Sequence, residues 1–142
     1  MKLTFKNDTF KILQIADTQE GRKVSPDTLA LINAALDREE PDLVVYSGDQ
    51  IWGRGFHGDV NQVRRVLKEL TAPVVERHLP FAICFGNHDR QVGRDNRAQF
   101  EIYKEIPGFI GEDTPGVDGV GNCVLEIADG DRPGYLLYLI DS

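Results

Sequence analysis

The chain has 142 residues, of which 41% are hydrophobic and 27% are charged, a composition typical of a folded globular protein. Its formal net charge of -7 argues against non-specific binding to nucleic acid, because such binding depends on cationic contacts with phosphates. No apolar run reaches the roughly 18–20 residues that a membrane span requires, so no membrane partner is expected.

Short apolar runs alternate with helical stretches from the first strand onwards. Residues 10–16 form an apolar run that predicts a buried strand ending at Asp17. Ser25 and Pro26 supply an N-cap and a first helical position for the helix that follows. Residues 43–47 then predict a second strand. The pattern indicates strands and helices in strict alternation.

The next elements continue this alternation. An apolar stripe over residues 60–74 predicts a second helix, which Pro73 is expected to kink or break. Residues 81–85 predict a third strand, and residues 96–106 predict a shorter helix. The order strand, helix, strand, helix, strand favours an α/β fold with parallel pairing.

Two further strands are predicted near the end of the chain, at residues 123–127 and 135–140. They either form a hairpin or extend the sheet. Because a domain rarely finishes on a fresh buried strand with nothing to cover it, we expect residues 1–142 to be the N-terminal part of one larger domain.

The two cysteines and the N-terminus bear on the cellular compartment. Cys84 and Cys123 each lie in an apolar, strand-like run, which is typical of buried thiols in a reducing compartment. Residues 1–8 turn polar too early for a secretory signal. A cytoplasmic location is therefore expected.

Polar side chains follow each of the three predicted parallel strands. They are Asp17, then Asp49, then Asn87 with His88. Each motif alone is also typical of a strand-end turn or a helix cap. In open α/β sheets, however, ligands bind outside the carboxyl ends of the strands, where all three motifs meet. Their joint placement favours a site for a divalent metal ion that prefers oxygen ligands.

These motifs resemble the calcineurin-like metallophosphoesterase family. Residues 17–19 (Asp-Thr-Gln), 48–49 (Gly-Asp) and 86–89 (Gly-Asn-His-Asp) are similar to the first three of that family's five motifs. Residues 10–14 (Phe-Lys-Ile-Leu-Gln) and 121–125 are similar to its purple-acid-phosphatase-related branch. The resemblance implies a layered α/β/β/α sandwich, of which this chain is the N-terminal half.

The resemblance also implies a chemistry for the site. Asp17 would bind a first metal ion, Asp49 would bridge two ions, and Asn87 would bind the second. The ions would be divalent or mixed-valence Mn, Fe or Zn. A hydroxide bridging them would attack a phosphate ester in line, while His88 would act as the general acid on the leaving oxygen.

Two departures from the family pattern favour an alternative. Gln19 stands where the family has a histidine, and it either ligates weakly or lies on the surface. The lone histidine and the Gly-His-x-His of the last two motifs are absent. The chain by itself therefore has too few ligands for two ions, and the alternative is a degenerate member acting as a non-catalytic binding or regulatory module.

Several neighbours of the motifs each have a functional and a structural interpretation. Arg90 either clamps a phosphate or lies on the surface, and His57 either contacts substrate or is a solvated loop residue. Asp89 either orients the adjacent histidine or forms the turn. Trp52 and Phe56 either line an apolar wall for an ester group or pack over the sheet edge.

Overall fold

The computed structural model describes residues 2–53, 55–93 and 95–141, which form two three-stranded sheets and a set of helices. The strands are β1 (Leu3–Thr4), β2 (Ile12–Ile15), β3 (Leu43–Ser47), β4 (Phe81–Cys84), β5 (Cys123–Asp129) and β6 (Arg132–Leu139). The α-helices are α1 (Pro26–Glu39), α2 (Val60–Glu76) and α3 (Asn96–Lys104), and a short 3-10 helix covers Asp89–Val92. None of the helices in the described part of the chain has the length and apolar character needed to cross a bilayer.

The first sheet has the order β2-β3-β4 and is parallel throughout. In register, Ile15 lies beside Tyr46, and Tyr46 lies beside Ile83. The carboxyl ends of all three strands therefore meet at one edge of the sheet, which we call the rim. The predicted alternation of strands and helices is confirmed.

Side chains of β3 alternate between two cores, as the two-residue period of a strand requires. Val44 and Tyr46 face α1, α2 and α3, in a core that also contains Ile83. Leu43 and Val45 face the second sheet. The layers are thus helices, sheet and sheet, which confirms the predicted α/β layering of a partial sandwich.

The second sheet has the order β1-β5-β6. β5 and β6 pair antiparallel as a hairpin, and β1 pairs parallel with β5. Of the two arrangements left open by the sequence, the hairpin is the one that forms. The strand Leu3–Thr4 is an addition that the sequence pattern did not indicate.

The prediction that residues 10–16 form a buried strand was wrong about burial. Within the described residues β2 pairs with β3 only, and Ile12 is 39% exposed. By contrast β3 has a partner on each side, and Leu43 is fully buried. An apolar run indicates a strand, but its position in the sheet decides how much of it is covered.

Of the two effects expected of Pro73, a kink or a break, the break does not occur, because α2 runs from Val60 to Glu76. A proline inside a helix costs about 3 kcal/mol through its missing N–H and its ring. Val66, Leu67 and Leu70 are fully buried, and burying each such side chain contributes about 1.5–3 kcal/mol. Packing of this face therefore outweighs the local penalty.

Candidate active site

Backbone hydrogen bonds carry the pairing of β2 and β3 past the ends of the strands. The amide of Asp17 donates to the carbonyl of Gly48 at 3.1 Å, and the amide of Gln19 donates to the carbonyl of Asp49 at 2.9 Å. These bonds hold the first two motifs side by side at the rim. The structure thus brings together the backbones of Asp17 and Asp49, as the sequence predicted.

The backbone at the rim is in the left-handed region at several residues. Asp17 has φ 54°, Gln19 has φ 46° and Asp49 has φ 53°. Residues other than glycine rarely adopt this conformation, which costs on the order of 1 kcal/mol each, although aspartate tolerates it better than most. Such strain concentrates at functional sites, so it supports the assignment of the rim as the site.

Asp49 is largely enclosed at the rim and is 9% exposed. Its Oδ1 accepts a hydrogen bond of 2.7 Å from the amide of His88, which joins the turn after β3 to the turn after β4. A Cβ atom at Gly86 would lie 2.3 Å from that Oδ1, so only glycine fits there. No hydrogen bond from a described residue reaches Asp49 Oδ2, which leaves that oxygen available to a cation.

Asp89 forms the turn and does not bond to the histidine ring. Its Oδ2 accepts hydrogen bonds from the amides of Gly86 (2.8 Å) and Asp49 (2.9 Å), and its Oδ1 accepts one from Ile51 (3.1 Å). The side chain is 1% exposed. Burial, together with the nearby charge of Asp49, raises the pKa of Asp89 to about 6 against the opposing effect of these hydrogen bonds.

His88 is half-buried between two side chains. The ring of Trp52 stacks on it with centroids 4.7 Å apart and planes 13° apart. Its Nδ1 lies 3.1 Å from Oε1 of Gln91. Trp52 therefore contacts the predicted general acid, whereas Phe56 is buried in the helix-side core. Gln91 was not among the predicted site residues. Its position three residues after His88 is the sequence feature that could have indicated a contact between the two side chains.

Asn87 and Arg90 line one open cleft of about 310 Å³ beside the rim. Both side chains are exposed, and Asn96, Asp118 and Asp141 complete the wall. The predicted phosphate-binding arginine thus lies next to the predicted metal ligand. No hydrogen bond or ring contact among the described residues joins His57 to the rim, and its side chain is exposed in the loop before α2.

Four side chains at the rim carry oxygen atoms of the kind that metal ions bind. Asp17 and Asp49 contribute carboxylates, while Asn87 and Gln19 contribute amide oxygens, a donor set that suits hard divalent cations. Over residues 2–53, 55–93 and 95–141, however, no three histidine, cysteine, aspartate or glutamate side chains converge in a metal-binding group. The residues present therefore fit part of a metal shell.

Comparison with known proteins gives the same family as the motifs. Residues 10–137 match the calcineurin-like phosphoesterase family. The chain is 31% identical to phosphatase DCR2 of Saccharomyces cerevisiae over 94% of its own length and 26% of that protein. It is 27% identical to the probable inactive purple acid phosphatase 14 of Arabidopsis thaliana over 89% of its own length and 36% of that protein.

A bacterial relative aligns over a shorter segment. The chain is 34% identical to the phosphodiesterase YaeI of Escherichia coli over 66% of its own length and 34% of that protein. It therefore spans only about a quarter to a third of the length of these three relatives. Since the family match covers most of its residues, the chain belongs to the calcineurin-like phosphoesterase family, whose members generally use divalent metal ions to hydrolyse phosphoesters.

Proposed function

We propose that the protein hydrolyses phosphate esters at the rim of the β2-β3-β4 sheet, with two divalent ions as cofactors. The proposal rests on the contact between two motifs. The Asp49 carboxylate accepts a hydrogen bond of 2.7 Å from the backbone amide of His88, the residue that follows Asn87. The carboxylate of Asp49 is therefore tied to the main chain that carries the Asn87 and His88 side chains. A carboxylate, an amide oxygen and an imidazole on neighbouring turns suit the binding of a cation together with a phosphoryl group.

Each of the rim side chains has a distinct role in the proposed reaction. Asp49, Asn87 and Asp17 would hold the ions, with Gln19 as a weaker ligand because an amide oxygen carries no formal charge. When bound, the ions would neutralise charge on the phosphoryl oxygens and lower the pKa of water. His88 would hold a proton on its ring and pass it to the leaving oxygen.

The substrate side of the proposal rests on the cleft. Arg90 lines it beside Asn87, and a guanidinium can bind two phosphate oxygens at once. We propose Arg90 as the phosphate-binding residue, and we assign His57 no contact with the reacting group. Asp118 and Asp141 also line the cleft, so a phosphate there would need the charge of Arg90 and of a bound cation to offset these two carboxylates.

The decisive experiment is turnover of p-nitrophenyl phosphate by the full-length gene product with added Mn²⁺. Asp49→Asn is expected to lower kcat/KM by more than about 100-fold, because it removes a charged metal ligand whose surroundings are fixed. Asp131→Asn, an exposed aspartate in the β5–β6 turn, is the matched control and should leave turnover unchanged. Turnover that survives both a chelator and Asp49→Asn would contradict the proposal.

A second function is a non-catalytic module that binds one ion or none. Gln19 in place of a histidine favours it, as does the incomplete donor group among the described residues. A relative named as a probable inactive phosphatase adds to this. Metal analysis of the purified full-length protein separates the two: two ions per chain with turnover exclude the module, and fewer ions without turnover exclude the enzyme.

A further inference from the structure

The ring of His88 is held from two directions by side chains that belong to different turns. Trp52, from the turn after β3, covers one face of the imidazole at 4.7 Å and nearly parallel planes. Gln91, from the 3-10 helix after β4, places Oε1 3.1 Å from ring atom Nδ1. Trp52 therefore contacts the face of the imidazole ring, and Gln91 contacts its edge.

The backbones that carry these side chains pack tightly together. A Cβ atom at Gly53 would lie 2.1 Å from the carbonyl carbon of Gln91 and 2.3 Å from the amide nitrogen of Val92. Only glycine at position 53 lets the main chain beside Trp52 approach the 3-10 helix this closely. The amide of Gln91 also donates to the carbonyl of His88 at 3.0 Å. The main-chain positions that carry the three side chains are therefore fixed relative to one another.

We propose that Gln91 and Trp52 are positioning residues that select the proton-donating nitrogen of His88. The proposal rests on the proposed function, in which His88 is the general acid. Oε1 of Gln91 accepts a hydrogen bond from Nδ1–H, so Nε2 is the ring nitrogen left to give its proton. As a hydroxide bonds to phosphorus and the ester P–O bond breaks, the electron pair of the broken bond goes to the leaving oxygen, which takes the Nε2 proton of the imidazolium and leaves a neutral Nδ1–H imidazole.

Trp52 has a complementary part in the proposal. Its indole covers one face of the ring and opposes rotation about the histidine side-chain bonds. The π-face of an indole also attracts a cationic ring, which is the form that donates the proton. Trp52 thus restrains the orientation of the ring plane, and Gln91 determines which ring nitrogen carries the proton when the ring is neutral.

The first test is a spectroscopic one that needs no activity. The chain has three histidines, so the ¹⁵N signals of His88 are readily assigned by comparison with His88→Leu. Where the imidazole is neutral, we expect the Nδ1–H tautomer in the wild-type protein and a mixture of tautomers in Gln91→Leu. Gln91→Glu keeps an acceptor oxygen and should restore Nδ1–H, while Gln14→Leu on β2 is the matched control.

The stack with Trp52 is tested in the same spectra. Ring-current shielding should move the His88 ring protons upfield in the wild-type protein, and Trp52→Leu should abolish this shift while Trp52→Phe retains part of it. An Nδ1–H tautomer that persists in Gln91→Leu, or ring protons unmoved by Trp52→Leu, would overturn the assignment of that residue.

The second test uses the leaving group. Phenyl phosphate needs proton donation to its leaving oxygen, whereas 2,4-dinitrophenyl phosphate does not. Gln91→Leu and Trp52→Leu should each lower kcat/KM about 10-fold for phenyl phosphate and less than about 2-fold for the dinitrophenyl ester. Equal losses for both esters would overturn the proposal. A wild-type protein that turns over neither ester, yet keeps the tautomer and the shielding, would refute the proposed function and leave the positioning intact.

Discussion

The candidate ligands on the two sides of the rim stand in very different surroundings. On the β3–β4 side, Asp49 is 9% exposed, bonds the His88 amide and packs against Gly86. On the β2 side, Asp17 is exposed, and a hydrogen bond from its backbone amide holds it at the edge of the sheet. The Asp49 carboxylate is thus fixed by packing, whereas the side chains of Asp17 and of Asn87 are exposed and are positioned by their backbone alone.

This difference indicates how the two sides would share the binding of a metal ion. A ligand locked before binding loses little conformational freedom on binding, whereas a free side chain must be ordered when the ion arrives. The β3–β4 side should therefore anchor an ion, and the β2 side should tune its affinity. Four changes test this contrast, in order of the effect expected.

The largest effect is expected from Asp89→Ala, which removes the acceptor shared by three amides, two of them buried and one half-buried. Leaving such donors unsatisfied costs about 1–3 kcal/mol each, so the free energy of unfolding should fall by at least about 3 kcal/mol. Urea denaturation at neutral pH measures it. Asp131→Ala is the exposed control and should change stability by less than about 0.5 kcal/mol. A loss under about 1 kcal/mol for Asp89→Ala would show that the junction is not rigid.

The same carboxyl should make the stability of the metal-free protein depend on pH. Burial raises the pKa of Asp89 to about 6 from an ordinary value of 3.8, so between these values the folded chain binds more protons than the unfolded one. The free energy of unfolding therefore falls as pH rises from about 4 to about 6 and then levels, by up to about 3 kcal/mol. Urea denaturation at several pH values, in the presence of a chelator, measures this dependence of the free energy of unfolding on pH. Asp89→Ala is the reference, because it lacks the carboxyl group. A wild-type advantage over Asp89→Ala that is constant across this range would contradict it.

Gly86→Ala is expected to have the next largest effect. Its Cβ would lie 2.5 Å from the amide nitrogen of Asp49 as well as 2.3 Å from Oδ1, so backbone must shift. Overpacking of this kind costs about 2 kcal/mol. Gly21→Ala is the matched control, since a Cβ there meets nothing within 4 Å. If both variants unfold at the same urea concentration, the close packing of Gly86 against Asp49 does not contribute to stability.

Asp17→Asn is expected to have the smallest effect on folding. Asparagine accepts the left-handed φ of 54°, and the side chain is exposed. The free energy of unfolding should change by less than about 0.5 kcal/mol. Calorimetric titration with Mn²⁺ should nevertheless show weaker binding. A stability loss above about 1 kcal/mol would mean that the β2 side is as firmly built as the β3–β4 side.

Sequence reasoning located the helices and strands well where the signal is local. The Ser25 side chain accepts a hydrogen bond from the amide of Asp27 and caps α1, as its position before Pro26 predicts. It failed where neighbours distant in sequence decide the outcome: the exposure of β2, the continuity of α2 through Pro73, and the pairing of Leu3–Thr4 with β5. The metal and substrate roles of the rim residues and the extent of the whole domain stay predictions.

The sequence alone determined which polar residues follow which strands, because strand ends and turn residues are local properties of the chain. Asp17, Asp49 and Asn87 were placed at one rim on that basis, and the parallel sheet brings their turns together. Only the tertiary structure decided what surrounds them. That Asp89 ties two turns together, and that Gln91 and Trp52 enclose His88, depends on the close approach of main-chain segments that glycine permits.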